Sequence, residues 1–199
     1  MKSSWISGAL VVLPFLAACG PAERPPLTDA QRAAAEEMGG HAADQLAGTL
    51  IGQLTTALGE GGPAGAIDFC ATRAMPLTEE VNASLDGLQV KRTTRRLRNP
   101  ANAPDSLEEA ALAWFEAEHA RGGVFPSSWV QDAGDEVRYY RPLVVNGLCV
   151  QCHGPAEALA EDVRAALAER YPDDAATGYE VGDLRGLIRV SVPRSRLQD

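Results

Sequence analysis

The sequence predicts a single α+β domain, a twisted antiparallel sheet flanked by helices, with a long helix near its amino-terminal end. Leu46, Leu50, Leu54 and Leu58 recur every four residues, the spacing that gathers side chains on one face of an α-helix. Residues 88–94, 137–145 and 186–192 carry alternating or β-branched patterns, as half-buried strands do. The 199 residues suit one domain, and helices packed on one side of such a sheet give the α+β class.

The elements follow in chain order. Lys2 and the mostly apolar residues 5–16 are too short for a bilayer span of about 20 residues and read as a secretion signal over residues 1–18. Leu16-Ala17-Ala18-Cys19-Gly20 resembles a bacterial lipobox, which implies cleavage before Cys19 and acylation of that cysteine. Gly20 in place of an acidic residue favours an outer-membrane destination on the periplasmic side. Residues 19–27, with Pro21, Pro25 and Pro26, form a linker, and residues 28–199 the domain. Thr28 caps a helix that starts at Asp29 and runs towards Leu58, with Met38 on its apolar face. Gly59-Glu60-Gly61-Gly62 stops it, and Pro63 starts a second helix, carrying Cys70, through about Met75. Ser106 with Glu109 forms a capping box for a third helix ending near Gly122-Gly123, and a fourth runs from Pro155 to about Arg170.

Chemistry is concentrated in Leu148-Cys149-Val150-Gln151-Cys152-His153-Gly154. Two thiols three positions apart can add to the two vinyl groups of a haem, with the next histidine placed under the iron. A chance match in a chain with so few cysteines and histidines is expected on the order of 0.001 times. A reducible cysteine pair normally opens a helix after a strand in a βαβ unit, which is not visible here. A zinc site needs four ligands, and Cys70, His41 and His119 are scattered singly. A structural disulfide is the remaining alternative. Export fits covalent haem, so one haem c bound through Cys149 and Cys152 with His153 on iron is expected.

With Cys19 assigned to lipid, Cys70 is left over. It is either a buried core thiol or the second axial ligand, where a thiolate would lower the reduction potential and a methionine raise it. Met38, Met75, His41, His119 and an open position are its rivals. Arg92, Arg95, Arg96 and Arg98 could pair with the anionic haem propionates or form a solvated strand edge. Of these, Arg92, Arg95 and Arg98 are the candidate cofactor contacts.

Four segments, Gly65 to Cys70, Arg98-Asn99-Pro100-Ala101-Asn102-Ala103-Pro104-Asp105, the motif itself, and the run from Ala176 to Gly186, resemble the single-haem c-type domains of PAS-like fold. These occur as stand-alone haem proteins and as extracytoplasmic sensor domains of bacterial signalling proteins. The resemblance implies a PAS-like twisted antiparallel sheet flanked by helices, and it implies that Cys70 is the distal ligand opposite His153.

Electron transfer or redox sensing by a lipid-anchored mono-haem cytochrome is the expected function. Haem-based sensing of NO or CO through a separate partner is the alternative, favoured by a vacant or displaceable ligand. An enzyme is not expected, peroxide chemistry requiring five-coordinate iron. Residues 1–18 contain one charged side chain, Lys2, so of the 18 basic residues 17 remain against 27 acidic ones, a net charge of −10. That acidity argues against nucleic acid and anionic lipid and suits a basic redox partner protein. A homodimer is compatible with the sequence.

Overall fold

A computed structural model describes residues 24–197. Cys19, the signal and most of the linker lie outside the described residues. Thr28 and Gln31 exchange capping hydrogen bonds, Thr28 Oγ1 accepting from Gln31 N at 3.2 Å and Gln31 Oε1 accepting from Thr28 N at 3.1 Å. They open α1 (Asp29–Ser84), which is interrupted at Gly62, where φ is +63°. Glycine tolerates that conformation and Pro63 needs no N–H partner where a helix restarts. The second limb does not end near Met75 but continues through Pro76 to Ser84. Leu77, Thr78 and Val81 are buried there, and this packing offsets the cost of a proline inside a helix, about 3 kcal/mol.

Four strands follow, β1 (Gln89–Thr93), β2 (Trp129–Asp132), β3 (Glu136–Val144) and β4 (Leu184–Pro193), antiparallel in the order β1-β4-β3-β2. Three match the expected segments; β2, four residues at the sheet edge, was not anticipated. The remaining helices are α2 (Ser106–Gly122), the single turn α3 (Val150–His153) and α4 (Glu161–Arg170). α4 begins six residues later than expected, after turns that bury Leu159 beside Val163 and Leu167. Among the described residues, no helix is long and apolar enough to cross a membrane.

Helices cover both faces of the sheet rather than one. Ala35, Ala42, Ala43 and Leu46 of α1 pack on Val137, Tyr139, Ile188, Val190 and Val192. Ala111, Leu112 and Phe115 of α2 pack on Tyr140 and Leu187. Neighbouring residues of a strand point to opposite faces, so α1 and α2 sandwich the sheet. α1 lies so close that a Cβ on Gly39 would stand 2.3 Å from the Tyr139 ring, a position only glycine can fill.

The α2 cap is one residue upstream of the expected box. Asp105 Oδ1 accepts from Glu108 N at 2.8 Å and Glu108 Oε2 from Asp105 N at 3.0 Å, while Glu109 pairs with Arg95. Glu108 is fully buried and also accepts from Lys91, Thr93 and Arg189 at 2.8, 3.1 and 3.1 Å. It thereby joins α2 to β1 and β4. Burial raises its pKa, but the Lys91 and Asp105 hydrogen bonds and the charges of Lys91 and Arg189 outweigh it, so the carboxyl titrates below its ordinary 4.5. A carboxylate with a depressed folded pKa stabilises the fold above its unfolded pKa and loses that contribution as pH falls through the folded value. Glu108→Gln should therefore cost about 3–5 kcal/mol at neutral pH and flatten the acid limb, as read by urea unfolding across pH 7 to 3.

Candidate cofactor site

The motif turn is built from its flanks inwards. Asn146 Oδ1 accepts from Leu148 N at 2.9 Å and Cys149 N at 3.3 Å, an Asx turn that leads into α3. His153 N donates to Cys149 O at 2.9 Å, closing the helical turn. Cys149 and Val150 pack on Val145, Ala176 and Tyr179. Cys152 packs on Ile67, Leu159, Val163 and Leu167. The turn is thus wedged between the second limb of α1 with α4 on one side and residues 176–179 on the other.

Arg98 holds this seam. Its guanidinium donates to Cys152 O at 2.6 Å, to the Asp174 carboxylate at 2.9 Å and to Ala176 O at 3.4 Å. Asp174 Oδ1 in turn accepts from Ala176 N at 2.8 Å. Gly178 N and Tyr179 N donate to the carbonyls of Gly154 and His153 at 2.7 and 2.9 Å. Arg98 and Asp174 side chains are 10% and 9% exposed, so the pair is buried and its hydrogen bonds are weakly screened.

His153 Nδ1 stands 2.7 Å from Ala176 O. A carbonyl only accepts, so Nδ1 carries the proton and Nε2 keeps its lone pair. Burial, reinforced by the charges of Arg98 and Arg185, pushes the imidazole pKa down to about 3. The ring is neutral at physiological pH, the protonation state a metal ligand requires.

The turn faces a cavity of about 440 Å³, within the range of small-molecule sites, bordered by Cys149, Cys152, His153 and, from the second limb of α1, Cys70. Apolar walls come from Ile51, Leu54, Leu58, Ile67 and Leu143. The three thiols are unpaired. Burial raises the Cys70 and Cys152 pKa values, Arg92 and Arg98 opposing it at Cys70 and Arg98 at Cys152. Among the described residues no three His, Cys, Asp or Glu side chains cluster in a way that would hold a bare metal ion. Two thiols, a neutral imidazole and an apolar wall are instead suited to a flat, largely apolar, metal-bearing cofactor.

Of the residues weighed for the position opposite His153, Cys70 alone among the described residues borders this cavity. Met38 and His41 line a separate groove with Glu37 and Asp86. His119 stacks on Phe125 with ring centroids 4.1 Å apart, and Met75 meets Arg92 at 3.9 Å. The arginines separate too. Arg98 borders the cavity, Arg92 borders adjoining recesses, and Arg95 is exposed, paired with Glu109 and Glu116 against α2. Arg185, not singled out from sequence, borders the cavity; its place in the run from Ala176 to Gly186 was the available signal.

The Tll0287-like family profile matches residues 22–193. The crystal structure of the cyanobacterial heme-protein Tll0287 is 33% identical to this chain and superposes with a TM-score of 0.60, covering 79% of this chain and 95% of that one. No curated protein matches the chain.

Asp174→Ala would leave the Arg98 charge buried and unpaired, a loss of about 3–5 kcal/mol. Hydrogen exchange at the Gly178 and Tyr179 amides should accelerate more than at the sheet amides; equal protection in the variant would show that the pair does not hold the turn.

Proposed function

The chain belongs to the Tll0287-like family, and on that premise we propose that it is an exported mono-haem c-type cytochrome acting in electron transfer or redox sensing. The observation that carries the reading is the meeting of Cys149, Cys152, His153 and Cys70 on one cavity. Cys149 and Cys152 would hold the haem by thioether bonds, the neutral His153 would ligate iron through Nε2, and Cys70, on the same cavity, would supply a second ligand. A bound haem supplies a one-electron couple at iron. The protein fixes the imidazole through Ala176, surrounds the group with apolar side chains and places charge around it.

Cys70 sits on a helical limb packed against α4 rather than on a loop, which supports a ligand that stays in place, and hence electron transfer or redox sensing over gas binding. An acyl anchor on Cys19 is part of this reading. Arg24 pairs with Asp135, and Arg194 donates to Pro25 O at 2.5 Å. The domain is therefore tied down five residues after Cys19, a reach of about 17 Å at full extension. Such a tether holds the haem domain close to the membrane surface, where its acidic surface faces a basic redox partner.

Intact mass and a pyridine test on the purified protein should show one covalent haem. Cys149→Ser should abolish the two-thioether attachment; retention of both bonds would overturn it. Cys70→Ala should shift the visible spectrum and raise the potential by on the order of 100 mV or more, and an unchanged spectrum would remove Cys70 as a ligand.

A further inference from the structure

Four arginines border the main cavity or its recesses close to His153 and Cys70, and their charges are satisfied unequally. Arg98 has Asp174 and Arg141 has Asp44 as an ion-pair partner. Arg92 and Arg185 have no carboxylate within ion-pairing distance among the described residues. Arg92 Nε is buried without a hydrogen-bond partner. Arg185 donates to Thr94 Oγ1 at 2.9 Å and Arg96 O at 3.2 Å and lies 5.4 Å from the centre of the Tyr179 ring, all of them neutral partners.

The two meet in one recess of about 130 Å³, bordered also by Thr93, Thr94, Asn102 and His153. The recess is therefore a cationic annex that shares His153, Leu143 and Arg185 with the main cavity but not Cys149 or Cys152.

We propose that this Arg92–Arg185 recess seats the carboxylates of the haem, fixing which edge of the macrocycle faces Cys149 and Cys152. The proposal rests on the haem reading above. Two guanidinium groups offer the paired N–H donors that carboxylates accept, and an anion there removes the cost of two desolvated charges. A haem has carboxylates at the edge opposite its vinyl groups, so the same placement brings the vinyl edge to the two thiols. Arg92 and Arg185 act as positioning residues.

The test uses purified holoprotein. Positive charge near iron favours the reduced state, so Arg92→Gln and Arg185→Gln should each shift the reduction potential downwards. Arg92→Lys and Arg185→Lys, which keep the charge, should recover most of that shift. Arg121→Gln, on the exposed end of α2, serves as the control and should leave the potential at the wild-type value. A crystal structure of the wild-type holoprotein should place a haem carboxylate within hydrogen-bonding distance of each guanidinium. Wild-type potentials in both glutamine variants, or carboxylates turned to solvent in that structure, would overturn the proposal. If a glutamine variant fails to fold, the holoprotein structure decides. Absence of haem from the wild-type protein would instead overturn the reading on which it rests.

Discussion

A buried guanidinium must place a full charge and five N–H donors in surroundings that offer little water, and Arg98 does so by drawing together three stretches of chain. Its partners are the Cys152 carbonyl, the Asp174 carboxylate and the Ala176 carbonyl. The Ala176 carbonyl also orients His153, so the ion pair that closes the seam sets the imidazole tautomer as well. Without that seam the thiols, the imidazole and residues 174–179 would have no common frame.

The sheet supplies the rigidity behind this arrangement. α1 and α2 press on opposite faces, and Glu108 ties α2 to β1 and β4 through acceptors matched to four donors. The break at Gly62 lets the first limb pack on the sheet while the second carries Ile67 and Cys70 to α4 and the motif before its end, with Val81 and Asn82, returns to the sheet. A continuous helix would not serve both contacts.

Local chemistry was legible in the sequence. The motif, the Thr28 cap, the glycine break before Pro63 and three of the strands each declare themselves within a few residues, and the family resemblance agrees with the Tll0287-like assignment. What escaped depended on distant pairing. Asp105 with Glu108 and Ser106 with Glu109 are equally plausible boxes until Glu108 is required by Lys91 and Arg189, and Glu109 by Arg95. Arg95 and Arg98 look alike in sequence, yet one pairs with α2 at the surface and the other with Asp174 inside. Arg185 becomes a neighbour of Arg92 only once β4 pairs with β1. β2 was too short to show a period, and the turns after Gly154 delayed α4 because burying Leu159 governs that segment rather than helix propensity.

The proposed arrangement of one haem between His153 and Cys70 is tested most directly by the absorption spectrum of the purified protein, oxidised, reduced and reduced under carbon monoxide. A six-coordinate low-spin haem c spectrum that does not change under carbon monoxide is expected. A high-spin spectrum, a carbon monoxide adduct formed at once, or no haem would contradict it.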